Sequence, residues 1–212
     1  MRTSYEIIED RAAFMDEWAR IYRISAAKVF LSPAWIDSLL TVAPPNVVFG
    51  CVRVFDDLRG VYGMAVISEP QSRAFPLMRE ARLHESGFAS LDRIYVEFND
   101  ILVARSAPEG AREAAVAEIL SIAARADQLV FRNAAPELAA AVEKVANEKK
   151  LTVEISRRQP TFEIDLKAIG ENYLQSASPS LRAKIRRSIK RYEQRGAVAL
   201  RRAESDAERA VA

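Results

Sequence analysis

The chain has 212 residues, half of them apolar and 28% charged, which is the ordinary balance of a globular protein with one ample core or two small domains. No apolar run approaches the ~18 residues needed to span a bilayer, and the opening M-R-T-S-Y-E-I-I-E-D-R lacks the apolar core of a secretory signal. The cytoplasm is therefore the expected compartment. One thiol, Cys51, and one histidine, His84, exclude an internal disulfide and leave too few ligands for an ordinary zinc site.

Tyr5–Ile8 reads as a short strand, and Asp10 can cap a helix with Phe14, Trp18 and Ile21 on one face. Ser32-Pro33 opens a second helix with Trp35 and Leu39 facing inward. Both tryptophans and the phenylalanines are expected in the core. Val47–Phe55 and Gly60–Ile67 are two β-rich runs separated by D-D-L-R, a hairpin signal. Cys51 lies within V-V-F-G-C-V-R-V-F, so it is expected buried and structural rather than paired with His84 as a nucleophile. A loop containing Pro70 and Pro76 follows, and His84, in the polar stretch R-L-H-E-S-G, is expected at the surface.

Residues Arg93–Ala104 predict a long strand. On it Tyr95, Glu97 and Asn99 would share one face, with Asp100 on the other. These four residues are candidates for contacting a substrate. The alternative is that Asn99 and Asp100 satisfy backbone groups where the sheet splays. Beyond them the pattern predicts a helix at about 109–125, a strand at Gln128–Arg132, a helix at 136–149 and strands at Leu151–Ser156 and Thr161–Leu166. The mixture argues for an α/β fold with one central sheet, mostly antiparallel, flanked by helices.

The small net charge of +2 hides a polarised molecule. Residues 178–202 hold nine Lys/Arg and one acid, Glu193, for a local charge of +8, leaving −6 for the rest. Ser178 and Pro179 suit the start of a helix, and Gly196 suits the left-handed position that ends one. Leu181, Ile185, Ile189 and Tyr192 form one apolar stripe. Arg182, Lys184, Arg186, Arg187, Lys190 and Arg191 spread over the remaining circumference and are candidates for binding an anion. A solvated face on a docked helix is the competing reading. Nucleic acid is an unlikely partner, because Tyr192 is the one aromatic available to stack on a base and it lies on the apolar stripe.

The order strand, two helices, three strands, helix, strand, helix, two strands resembles the GNAT acyltransferase fold. At the level of motifs the chain is similar to the bacterial acetyltransferases of cellulose and exopolysaccharide biosynthesis, whose members contain two GNAT-like domains and which are related to the Fem-type peptidyltransferases. The resemblance rests on V-F-L-S-P-A-W at 29–35, Y-V-E-F-N-D-I-L-V at 95–103, T-F-E-I-D-L at 161–166, and Y-L-Q-S-A-S-P-S-L-R-A-K-I-R-R-S-I-K-R at 173–191. It implies a degenerate first GNAT-like domain at 1–168, a basic helical connector at 169–196 and the opening of a second domain at 197–212, where A-V-A-L-R-R-A and E-S-D-A-E-R-A-V-A repeat the strand–helix grammar of the N-terminus. The natural polypeptide is therefore expected to be longer.

A GNAT fold holds the pyrophosphate of acetyl-CoA on backbone N–H groups, at a turn with the signature Arg/Gln-x-x-Gly-x-Gly/Ala. None of the seven glycines, Gly50, Gly60, Gly63, Gly87, Gly110, Gly170 and Gly196, stands in that pattern. The equivalent turn is R-S-A-P-E-G-A at 105–111, where Pro108 lacks an N–H and Glu109 brings a negative charge. Acetyl-CoA is thus expected only with the second domain. The expected partners are that domain and a small-molecule or glycan acceptor. Two rival readings are a Fem-like aminoacyl transferase and a non-catalytic binding or scaffolding module built on the basic helix.

Overall fold

The computed structural model describes residues 1–58, 60–72, 79–94, 96–122, 125–160, 173–197 and 199. The chain divides into two compact units, Met1–Ile155 and Ser156–Ala212.

The first unit is a mixed sheet between two helical layers. Its strands are β1 (Arg2–Ile7), β2 (Phe49–Asp56), β3 (Gly60–Ser72), β4 (Arg79–Leu83), β5 (Leu102–Val103) and β6 (Gln128–Val130), and its helices are α1 (Arg11–Arg23), α2 (Pro33–Val42), α3 (Ala111–Ser121) and α4 (Pro136–Glu148). The sheet order is β1-β2-β3-β4-β6, with β5 also paired to β3. Every pairing is antiparallel except β4 with β6, which is parallel.

Period-two alternation sorts the strand residues between two cores. Val52, Val54, Ala65 and Ile67 face α3 and α4, meeting Ala115, Val116, Ile119, Leu138, Ala141 and Val145. Cys51, Met64 and Val66 face α1 and α2, meeting Phe14, Trp18, Ile21 and Ile36. Fully burying a side chain such as Ile21 or Leu138 stabilises the fold by about 2 kcal/mol. A Cβ at Gly50 would run into the Tyr5 ring across the β1–β2 ladder, so a larger residue there would require the Tyr5 ring to move. Trp18 donates from Nε1 to the Leu31 carbonyl at 2.8 Å, giving its one polar atom a buried partner. Of the phenylalanines, Phe14 and Phe49 are buried, whereas Phe30, Phe55, Phe88, Phe98 and Phe131 are partly exposed, as is Trp35.

The caps follow the sequence. Asp10 accepts from the Ala13 N–H at 3.0 Å, and Ser32 accepts from the Trp35 N–H at 3.3 Å with Pro33 in the first turn. Gly110 starts α3 at φ 84°, a conformation that favours glycine. The D-D-L-R hairpin turns on Asp56, whose carboxylate accepts from the Leu58 N–H at 3.0 Å.

Three expectations need correction. Strand β4, at Arg79–Leu83, falls in a stretch read as loop because of its prolines. The β3–β4 register shifts between Ser68 and Gln71, next to Pro70, which has no N–H to give to a ladder. The long strand Arg93–Ala104 does not exist as such. Leu83 pairs with Ile67, and the same lane along β3 resumes only at Leu102 opposite Met64. Residues 84–94 and 96–101 between them leave the sheet and return. Left-handed backbone at His84 (φ 53°) and Phe98 (φ 51°) turns the chain out and back.

The third correction concerns Leu151–Ser156, which alternates as a strand does but makes no ladder among the described residues. Helix α4 instead closes on Lys150 at φ 58°, with the Leu151 N–H donating to the Ala146 carbonyl at 2.8 Å and the Lys150 N–H to the Asn147 carbonyl at 3.1 Å. Residues 151–155 then run on with Leu151, Val153 and Ile155 exposed. The strand expected at Thr161–Leu166, and most of the 197–212 segment, lie outside the described residues.

The second unit contains a short helix α5 (Tyr173–Ser176) and α6 (Pro179–Glu193). Ser178 caps α6 by accepting from the Leu181 N–H at 3.3 Å, with Pro179 in the first turn. The helix ends at Gln194, and Gly196 follows with φ 151°. That is two residues past the cap and not the compact left-handed value expected. No residue of α6 is buried.

Candidate functional site

Where the parallel strands β4 and β6 end, an open α/β sheet usually forms a crevice for a ligand. Here the returning chain enters that place. Asn99 is fully buried, and its amide donates from Nδ2 to the Leu83 carbonyl at 3.1 Å and to the Arg132 carbonyl at 3.2 Å. The Asn99 side chain thus bridges the ends of the two strands. Its backbone pairs alongside, with the Asn99 N–H donating to the Asn133 carbonyl and the Ala135 N–H to the Asn99 carbonyl.

With both amide hydrogens engaged, Asn99 Oδ1 is left to accept from His84 Nδ1 at 2.8 Å. This fixes the tautomer of the neutral ring and leaves Nε2 as a bare acceptor with no hydrogen-bond partner among the described residues. The ring stands edge-on to Trp18 with centroids 5.7 Å apart. Burial holds the His84 pKa down to about 4, against a smaller upward pull from Asn99. The expectation of a surface histidine is therefore wrong: His84 is 1% exposed. The flanking E-S-G made the segment look like a solvent loop, but those polar groups are also turned inward.

Beside His84 lies a buried ionic cluster. Glu85 accepts from Arg82 Nη1 at 3.3 Å, and its other oxygen lies 3.1 Å from Arg132 Nη1, an ion pair not aligned as a hydrogen bond. Burial pushes the Glu85 carboxyl upward, opposed by Arg132 and Arg82. Arg82 also reaches Glu80 at 2.7 Å. Asp92 collects the Ser86 N–H at 3.0 Å, the Ser86 hydroxyl at 2.8 Å and the Gly87 N–H at 2.8 Å, while Arg132 donates to the Asp92 carbonyl at 3.1 Å. Sequence reasoning missed Arg82, Glu85, Asp92 and Arg132. The one available signal was a dense run of hydrogen-bonding residues immediately after an apolar strand.

Of the four residues expected to face a substrate, the three described ones differ in exposure. Glu97 is exposed, Asn99 is buried, and Tyr95 lies outside the described residues. Asp100 binds Arg112 through two contacts of 2.7 and 2.8 Å and accepts from the Ile101 N–H at 2.8 Å. This ties the chain entering β5 to the first turn of α3.

The turn before α3 has little capacity for an anion. The Ala107 N–H donates to the Ala104 carbonyl at 3.0 Å and the Ala111 N–H to the Pro108 carbonyl at 3.2 Å. Pro108 offers no donor and Glu109 is negative, so these residues do not fit a pyrophosphate. Cys51 offers no nucleophile either, since burial pushes its thiol up to about 12.

On α6, Arg182 donates to the Gln175 and Ala177 carbonyls at 2.9 and 3.0 Å, capping the short helix before it. Lys184, Arg186, Arg187, Lys190 and Arg191 are exposed, and none takes part in an ion pair among the described residues. They ring an exposed helix.

No family model matches the chain, and no curated protein matches it. Among solved structures it is similar to a probable acetyltransferase at 15% identity and a TM-score of 0.44, over 78% of this chain and 99% of that one. It is also similar to the ribosomal-protein-alanine N-acetyltransferase of Brucella melitensis biovar Abortus 2308 at 13% identity and a TM-score of 0.41, over 76% of this chain and 100% of that one.

Proposed function

We propose that the chain is the non-catalytic, GNAT-like half of a two-domain acyltransferase of polysaccharide or cell-envelope biosynthesis. In this reading acetyl-CoA is bound by a second GNAT-like domain. The first domain supplies scaffold and acceptor contacts, and the acceptor is a small molecule or glycan bearing an amine or hydroxyl. Element order and the quoted motifs suggest the family. The carrying observation is the turn before α3, with Pro108, Glu109 and internally bonded N–H groups where an acyl-CoA site would need free donors. Asn99, bridging Leu83 and Arg132, gives independent support, because it fills the gap between the parallel strands. Of the residues proposed to meet the acceptor, exposed Glu97 is the one with its carboxylate at the surface.

Calorimetry of the 212-residue chain with acetyl-CoA tests the reading. The expected dissociation constant is no tighter than about millimolar, and a low-micromolar value would overturn it.

A second reading follows from α6. Its ring of exposed cations also suits a polyanion-binding module, or a Fem-like transferase whose helix meets a nucleotide-sugar diphosphate or an aminoacyl-tRNA. Lys184→Ala with Arg191→Ala would weaken such a contact in either case.

A further inference from the structure

We infer that α6 is a membrane-surface element, lying along an anionic bilayer with its apolar stripe at the acyl boundary and its cations among the lipid phosphates. This extends the anion-binding role given to the helix above and stands apart from the acyltransferase reading.

At 100° per residue, Leu181, Ile185, Ile189 and Tyr192 fall within an arc of about 80°. Arg182 and Arg186 border that arc on one side, and Lys184 and Arg191 border it on the other. Most of the stripe is open to solvent, with Leu181 42%, Ile189 44% and Tyr192 63% exposed and Ile185 partly exposed. A helix docked in its own domain would bury that stripe; this one buries no residue. The first turn holds no acid, and Glu193 is the one acidic residue in the helix.

These features together choose the occupant. A free phosphate or diphosphate would engage two or three cations and leave the stripe in water. A nucleic acid would offer phosphates to both flanks but no apolar layer for the stripe. An anionic leaflet offers both at the required spacing, with apolar side chains sinking below the headgroups and flanking Lys/Arg stems reaching up to the phosphates. Tyr192, apolar in body and polar at its tip, suits that boundary. Among the described residues no helix is long and apolar enough to cross a membrane, so the contact would be peripheral.

The test is co-sedimentation of the full chain with phosphatidylcholine vesicles carrying about 30 mol% phosphatidylserine, against vesicles of phosphatidylcholine alone. Binding to the anionic vesicles should exceed binding to neutral ones by roughly tenfold and fall toward the neutral level at about 0.5 M salt. Ile185→Ser with Ile189→Ser should lower it by roughly tenfold with every cation kept, as should Lys184→Ala with Arg191→Ala. Lys184 and Arg191 are exposed, Ile189 is 44% exposed and Ile185 is partly exposed, so circular dichroism should show unchanged folds. No binding to the anionic vesicles at low salt would overturn the inference. So would full binding by the isoleucine variant, which would assign the helix to a soluble polyanion. Tighter binding to an acidic peptide or a nucleic-acid duplex than to the vesicles would also overturn it. Acetyl-CoA binding by the same chain would sink the non-catalytic reading and leave the membrane result standing.

Discussion

His84 is the residue whose chemistry changed most between sequence and structure. Its folded pKa of about 4 lies below the ordinary 6.5, so the folded state stays neutral where the unfolded chain takes up a proton. The stabilising difference is whole above pH 6.5 and is lost as pH falls from 6.5 toward 4. A shift of that size corresponds to about 3 kcal/mol at most. Urea unfolding across this range should show that slope, and His84→Gln should flatten it. Asn99 holds the same junction. Asn99→Ala leaves the Leu83 and Arg132 carbonyls and the His84 Nδ1–H without their partner, and should lower stability by about 3 kcal/mol in the same assay. Cys51, buried in the core with its thiol raised to about 12, should stay unreactive toward a thiol reagent until urea unfolds the chain. Rapid native labelling would contradict that.

Among the elements, the lane formed by β4 and β5 is the informative one. Arg93–Ala104 has the composition of a strand, and Leu102–Val103 is one. The chain nevertheless leaves the sheet after Leu83, because His84 and Phe98 take left-handed backbone that bends a strand away. Such residues are strained unless their surroundings compensate, and here Asn99 and the Glu85 cluster tie the excursion down. The end of α4 shows the same physics on a smaller scale. Lys150 occupies the left-handed position that glycine favours. Lys150→Gly should therefore raise stability by about 1 kcal/mol, read as an increased thermal midpoint. A decrease would mean that the Lys150 side chain contributes more than its backbone strain costs.

For the whole molecule, burial is divided unequally. Every buried apolar residue among those described lies between Phe14 and Ala146, within the first unit, while α6 buries none. Amide hydrogen exchange should therefore separate the two. Amides of β2 and β3 should exchange only with global unfolding, and those of α6 at least about 100-fold faster. Equal protection would contradict this division. Truncation after Ile155 should leave the thermal midpoint within a few degrees, because neither core loses a residue. The charge follows the same division, with 18 Lys/Arg against 22 Asp/Glu (−4) in Met1–Ile155 and 13 against 7 (+6) in Ser156–Ala212.

What the sequence alone determined is local. Caps at Asp10, Ser32 and Ser178, the hairpin at Asp56, the alternating strands around Cys51 and Met64, and the amphipathic basic helix were all legible, because each depends on side chains within a turn or two of one another. The tertiary structure decided the junction. That His84 is buried, that Asn99 spans two strand ends, and that Arg132 and Arg82 meet over Glu85 all depend on residues up to 50 positions apart sharing one small volume. Polar side chains carry no periodic signature of burial. Whether such a group faces water or another polar group is fixed only when the strands that carry it pair.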